Sequence, residues 1–359
     1  MLEKKGVFAK QLLSWYANNK RDLPWREDNN PYLIWLSEII LQQTRVDQGL
    51  SYFNAFKTTF PTIKDLAHAS EEQVLKLWQG LGYYSRARNL HLTAKLITDH
   101  YGGKFPNAYD ALLQLKGIGP YTAAAIASIA FDLPYPTVDG NVYRVLARIF
   151  GIDVAIDSAP ARKVFEAKAM ELMDKQNASA FNQAMMEFGA LACTPKQPQC
   201  DGCVFQQHCY AYAKGIQLDL PVKTKKTKVK HRHFNYFVLR HHHHVLLRQR
   251  QGKDIWKNMY DFPLLESSHP IPIQQRPFKV DFTSKVYKHV LTHQLITANF
   301  HHVICPLAMP FEALHALDGA LFKEKEKNSF QWVKVEEVEN FPLPRLIDRY
   351  WIEHFSLFL

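Results

Sequence analysis

A mainly α-helical N-terminal region followed by a smaller α+β domain is the architecture predicted for this 359-residue chain. Three observations predict it. Apolar residues recur at three and four from residue 7 to about 213, as in Leu75, Leu77, Trp78, then Leu90, Leu92, Leu96, then Val142, Val145, Leu146, Ile149. Residues 221–232, PVKTKKTKVKHR, then carry six Lys or Arg and no acid, a stretch that no core can use. From Phe234 onward the pattern turns to short strand-like runs. The expected boundaries are residues 1–214, a basic linker at 215–232, and residues 233–359. This length supports two cores, and a 47% hydrophobic content makes the chain globular. A formal charge of +10 suggests a polyanionic partner, nucleic acid first. No run of about 18 uncharged apolar residues predicts a membrane span. The charged start, Met1–Lys5, is no targeting segment, so a cytoplasmic, nucleoid-associated protein is expected.

The first helix is marked by Phe8, Leu12, Leu13 and Trp15. The segment LPWREDNNPYLIWLSEIILQQTRV follows, with Glu38 among Leu33, Ile34, Trp35, Leu36, Ile39, Ile40 and Leu41. An acid in such apolar company is costly to ionise, so its pKa should rise until it can donate a proton near neutral pH. Tyr83 and Tyr84 in LGYYSRARNL would pass as core aromatics. Residues 115–126, LKGIGPYTAAAI, have the form of a helix-hairpin-helix. Gly117 and Gly119 allow a tight turn whose backbone N–H groups, at the start of the next helix, make a phosphate cradle. TVDGNVYRVLAR then places Asp139 just before another helix, where a plain N-cap is the simplest role.

Cys193, Cys200, Cys203 and Cys209 stand at spacing C-x6-C-x2-C-x5-C and are four of only five cysteines. Without a signal segment disulfides are disfavoured. Ligand chemistry leaves zinc and an iron–sulfur cluster both open. Cys305 lies in a separate apolar run, His302–Pro306, as an ordinary core thiol. In the C-terminal part, FNYFVLR and VLLRQR flank four histidines, 241–244, which sit where a hairpin turn belongs. Strands at Lys285–Val290, Gln294–His302 and Phe330–Val333 and a helix at Leu346–Phe358 complete the domain.

The order LKGIGPYTAAAI, VDGNVYRVLAR, cysteine loop resembles the helix-hairpin-helix glycosylase superfamily over roughly residues 20–213. The cysteine spacing is similar to the cluster loop of its endonuclease III and MutY members, which implies a [4Fe–4S] cluster held by Cys193, Cys200, Cys203 and Cys209. The resemblance makes Asp139 the essential aspartate, stabilising positive charge on the sugar as the base departs, with Asn141 orienting it. Members that also nick the backbone carry a lysine at position 121, whose amine attacks the sugar. Tyr121 cannot do that, so base removal without strand cleavage is implied. The segment around Glu38 resembles the MutY adenine-pocket signature, which implies that Glu38 protonates N7 of adenine. Gln43 and Tyr83 match residues that wedge into the duplex, and Arg26 and Glu187 match pocket positions.

The C-terminal domain resembles the Nudix-like domain with which MutY proteins inspect 8-oxoguanine. No Nudix box able to hold Mg²⁺ is present, so nucleotide hydrolysis is not expected of it. The family's Phe-Ser-His loop corresponds to Leu291-Thr292-His293, which keeps a hydroxyl and the histidine at Thr292 and His293 and loses the aromatic. The implied activity is a monomeric adenine glycosylase acting on duplex DNA with adenine opposite 8-oxoguanine or guanine. An endonuclease III-like lyase for oxidised pyrimidines, or an inactive DNA-binding relative, are the rival readings.

Overall fold

The computed structural model describes residues 6–224, 229–267, 279–305 and 308–355. Met1–Lys5, linker positions 225–228, Pro306 and residues 356–358 of the expected closing helix lie outside the described residues. In chain order the helices are α1 (Val7–Asn19), α2 (Pro31–Leu41), α3 (Val46–Thr59), α4 (Ile63–His68), α5 (Glu71–Leu77), α6 (Ser85–Tyr101), α7 (Tyr109–Leu113), α8 (Pro120–Phe131), α9 (Gly140–Phe150), α10 (Ala161–Leu172), α11 (Ala178–Leu191) and α12 (Tyr210–Lys214). Then come β1 (Lys230–His241), β2 (His244–Gln249), β3 (Tyr260–Asp261), β4 (Leu264–Ser267), β5 (Val280–Thr283), β6 (Tyr287–Leu291), β7 (Gln294–Ile304), α13 (Phe311–Leu317), β8 (Phe330–Lys334) and α14 (Arg345–His354). Among the described residues no helix is long and apolar enough to cross a membrane.

The chain forms two compact units, residues 1–68 with 89–225 and residues 69–88 with 226–359. In the first, α11 packs against α1, α8 and α9, while α2 packs against α8. Its sequence, ASAFNQAMMEFGAL, is rich in strong helix formers. Its apolar face joins Phe181 and Phe188 to Phe8, Leu12, Val145, Leu146 and Phe165, all fully buried. Each such side chain contributes roughly 1.5–3 kcal/mol on burial. This packing gathers α9, which follows Asp139, and α8, with Tyr121, against α11, with Glu187, while α2, with Glu38, packs on α8.

Residues 69–88, expected in the N-terminal region, belong by their contacts to the second unit. Gln79 Nε2 donates to Asp348 Oδ1 (2.9 Å), Leu343 N donates to Gln79 Oε1 (3.0 Å), and Arg88 Nη1 donates to the Lys257 carbonyl (3.0 Å). The sheet of this unit runs β3-β2-β1-β7-β5, with β4 beside β1, β6 beside β7 and β8 beside β2. β1 and β7 are parallel, registered from Lys230 opposite Gln294 to Arg240 opposite Ile304. β1 therefore begins inside the expected linker. The reason is Arg232, which is buried because Glu266 and Asp254 each take two of its hydrogen bonds, at 2.5–2.9 Å. The histidine run is a two-residue hairpin, His241 pairing with His244, and Cys305 sits in a core with Phe237, Leu239 and Phe322.

Candidate active site

Glu38 stands on α2, a helix begun by Asn30, whose side chain accepts from Tyr32 N, and by Pro31 at its first position. Every residue from Tyr32 to Ser37 is buried, as are Ile39 and Ile40, so the helix is apolar nearly all round. Glu38 itself is half-buried and lines a cleft of about 510 Å³, a size typical of small-molecule pockets. Desolvation pushes its pKa up to about 7, with a hydrogen bond from Tyr121 and the charge of Arg26 opposing and Asp139 reinforcing the rise. The Tyr121 hydroxyl, on the first turn of α8, also donates to Met186 Sδ at 3.2 Å. Burial holds the Tyr121 pKa well above the ordinary phenol value, so it stays protonated.

Asp139 faces the same cleft as the N-cap of α9. Its Oδ1 accepts from Asn141 N (2.9 Å) and Val142 N (2.8 Å), and its Oδ2 accepts from Asn141 Nδ2 (2.7 Å). Burial raises its pKa, against the pull of those N–H groups and of Arg144. The N-cap role and the expected orientation by Asn141 therefore coexist. Asn141 is fixed in turn by Arg144, which donates from Nη2 to Asn141 Oδ1 (2.8 Å) and to the Gly189 carbonyl (2.7 Å), and from Nε to the Cys193 carbonyl (2.7 Å). Gly189 is where α11 meets this turn: a Cβ there would stand 2.5 Å from Asn141 Cβ and 3.1 Å from its backbone.

Glu187 lies at another part of the cleft, 1% exposed, gripped by Arg21 through Nε, Nη2 and the backbone N at 2.8–3.0 Å, and by Arg26 Nη2 at 2.9 Å. Burial alone would raise its pKa, but these bonds outweigh it and hold the carboxyl at about 2. Arg21 was not legible in the sequence, since its partner lies far away along the chain. Gln183 and Met186, one helical turn apart on α11, also line the cleft and escaped the sequence reading.

Gln43 lines the cleft just beyond the end of α2, with φ +56°. A residue other than glycine on that backbone is uncommon and costs on the order of 1–3 kcal/mol. The hairpin between α7 and α8 departs from expectation in one detail. Gly117, at φ +79° and with Asn89 Cβ 2.8 Å from where its own Cβ would be, requires glycine. Gly119 is extended (φ −90°, ψ 178°) with open space around it, so it serves as the N-cap of α8, which no side chain caps. Neither glycine is among the residues lining the cleft.

The four clustered cysteines line a separate cavity with Arg148. Arg148 donates to the carbonyls of Thr194 (2.7 Å), Pro195 (3.0 Å) and Leu220 (3.1 Å), framing the loop, and lies 3.5 Å from Cys193 Sγ. Burial lifts the Cys203 thiol to about 11 and also raises Cys200 and Cys209, with Cys193 adding to each rise. Crowded thiols with raised pKa values are relieved by a cationic centre, and four sulfurs form a donor set for a soft one. Among the described residues no group of three His, Cys, Asp or Glu is placed for a single ion.

Tyr83, Thr292 and His293 belong to the second unit. Thr292 and His293 are the exposed two-residue tip of the β6–β7 hairpin, closed by Leu291 opposite Gln294. Tyr83 is 45% exposed at φ +48°, and its hydroxyl is hydrogen-bonded to Thr292 Oγ1. Arg86 lies 5.8 Å from the Tyr83 ring centre and 5.0 Å from that of Trp78.

Residues 36–175 match the model of the HhH-GPD superfamily of base excision DNA repair proteins, and residues 235–353 match the NUDIX domain. A solved thermostable thymine-DNA glycosylase aligns with TM-score 0.55 and 29% identity, covering 59% of this chain and 97% of that one. The helical unit is thus the fold of a helix-hairpin-helix base excision glycosylase. The chain is 38% identical over 262 residues to the adenine DNA glycosylase of Buchnera aphidicola subsp. Schizaphis graminum, covering 72% of this chain and 74% of that protein. With the adenine DNA glycosylase of Buchnera aphidicola subsp. Acyrthosiphon pisum it shares 31% over 350 residues, covering 96% and 97%. It belongs to the adenine DNA glycosylase family.

Proposed function

We propose that this enzyme removes adenine paired with 8-oxoguanine or guanine in duplex DNA by hydrolysis alone, without cutting the strand. The observation that carries this reading is a neutral-range acid, Glu38, sharing one cleft with Asp139 and with Tyr121, which by the resemblance stands where a lyase would carry its lysine. Glu38 donates its proton to N7 of the extruded adenine, making the base a better leaving group by roughly 10²–10⁴ in rate. Asp139, oriented by Asn141, stabilises the positive charge that develops on the sugar. That charge also favours the ionised carboxylate at the moment it is needed. Arg26 and Glu187 form a rigid charged wall for the base, and Gln43 and Tyr83 enter the duplex to offset lost stacking. Backbone N–H groups at the Gly117–Gly119 turn receive a phosphate, and Thr292 and His293 inspect the oxidised base opposite.

The donor set fits a [4Fe–4S] cluster held by Cys193, Cys200, Cys203 and Cys209; when bound it would crosslink the loop that carries Lys196. The basic charge balance supports DNA as the partner. The reading is tested by incubating the protein with A:8-oxoguanine, A:G and thymine glycol duplexes, with and without alkali. Adenine release with strand breaks only after alkali is expected. Nicking without alkali, or preference for thymine glycol, would overturn it in favour of a lyase.

A further inference from the structure

We propose that Asn182 is a positioning residue for the reaction, holding Asp139 in register with the α8 helix that carries Tyr121. The inference rests on the reading of Asp139 as the group that stabilises the sugar. Asn182 lies on α11, 1% exposed and outside the cleft lining. Its amide makes three bonds to two other segments. Oδ1 accepts from Thr137 N (3.0 Å), and Nδ2 donates to the Tyr135 carbonyl (2.8 Å) and to Ser128 Oγ (2.8 Å). Ser128 belongs to α8 and donates in turn to the Ala124 carbonyl (2.7 Å). Tyr135 and Thr137 belong to the stretch between α8 and α9, which ends at Asp139.

These partners fix the amide's orientation, because only an acceptor can face the Thr137 N–H and only a donor can face the Tyr135 carbonyl. The connecting stretch, Leu133–Val138, has no regular structure of its own. Pro134 and Pro136 remove two of its backbone donors, and its remaining ties include Leu133 N to the Ala127 carbonyl (3.0 Å) and the stack of Tyr135 on Tyr109 (centres 4.3 Å apart). Asn182 is the side chain that grips this stretch on both sides of Pro136. Thr137 is two residues from Asp139, a reach of at most about 7 Å. A shift of the stretch therefore passes directly to the carboxylate. Misplacement of a reacting group by about 1 Å can lower a rate by roughly 10².

The test uses the full chain and compares binding to two duplexes, one with a cationic pyrrolidine and one with a neutral tetrahydrofuran in place of the target sugar. The preference for the cation reports the placement of the Asp139 charge. For Asn182→Ala, single-turnover excision should fall roughly ten- to a hundredfold. Preference for the cationic duplex should fall with it, while affinity for the neutral duplex stays unchanged. Ser128→Ala, which removes one tie of three, should show a smaller loss of the same kind. If the Ala variant does not fold, Asn182→Asp keeps the shape and the Thr137 bond but loses both donors, and should show the same selective loss. Equal loss of affinity for both duplexes, or unchanged excision, would overturn the proposal. Asp139→Asn separates the two ideas: if it too leaves the cation preference intact, the reading of Asp139 fails; if it abolishes the preference and Asn182→Ala does not, only the role of Asn182 fails.

Discussion

The cleft holds two glutamates whose surroundings set them apart by some five orders of magnitude in proton affinity, at about 7 for Glu38 and about 2 for Glu187. Both lose water on folding. Glu187 receives two guanidinium partners, whereas around Glu38 the strongest influence is desolvation. The lesson is that burial by itself raises a carboxyl pKa, and only strong charged donors such as the two arginines at Glu187 reverse that sign. One carboxyl keeps its proton up to near neutral pH. The other becomes a permanent anion that anchors two arginines.

The largest expected effect comes from removing the proton. Glu38→Gln should cut single-turnover adenine excision by roughly 10²–10⁴ while leaving affinity for the uncleaved duplex intact; near-normal excision would break the contrast. Arg21→Leu attacks the other region. Leaving Glu187 with one partner should destabilise the fold on the order of 2–4 kcal/mol in urea titrations, toward the low end because Arg21 is one-third exposed.

The two sites should also pull stability in opposite directions with pH. Glu38 binds its proton more tightly folded than unfolded, so its contribution falls as pH rises from about 4.5 to about 7. Glu187 binds it less tightly, so its contribution is present above about 4.5 and is lost as pH falls toward 2. Relative to the parent chain, Glu38→Gln should gain stability above pH 7 and Glu187→Gln should lose it above pH 5. Each effect is at most ~3 kcal/mol and should shrink toward low pH. Parallel curves for the two variants would show that the environments are not distinct. The smallest effect is a cross-term. Arg26 holds the Glu38 pKa down, so Arg26→Ala should move the alkaline limb of the excision–pH profile upward, measured at saturating enzyme.

The same contrast explains what the sequence revealed. Glu38 was legible because its cause is local: seven apolar neighbours on one helix are visible in eleven residues. Asp139 was legible through a string whose N-cap geometry is also local. Glu187 was not interpretable physically, because Arg21 stands 166 positions away and no periodicity links them. Arg144, Arg148 and Arg232 share that fate. Each is a charge that the core accepts only because distant carbonyls or carboxylates receive it. The assignment of residues 69–88 to the second unit likewise rests on bonds spanning more than 160 positions, such as Arg88 to Lys257 and Gln79 to Asp348. Helical periodicity says that such a segment is helical, not what it packs on.

Gly189 touches no part of the proposed substrate path, yet it is the position at which the turn holding Asp139 has no slack. The smallest possible enlargement, one methyl group, would meet Asn141 Cβ and backbone at once. An alanine there must push Asn141, and with it the Asp139 carboxylate that Asn141 holds, although Gly189 is not among the residues lining the cleft.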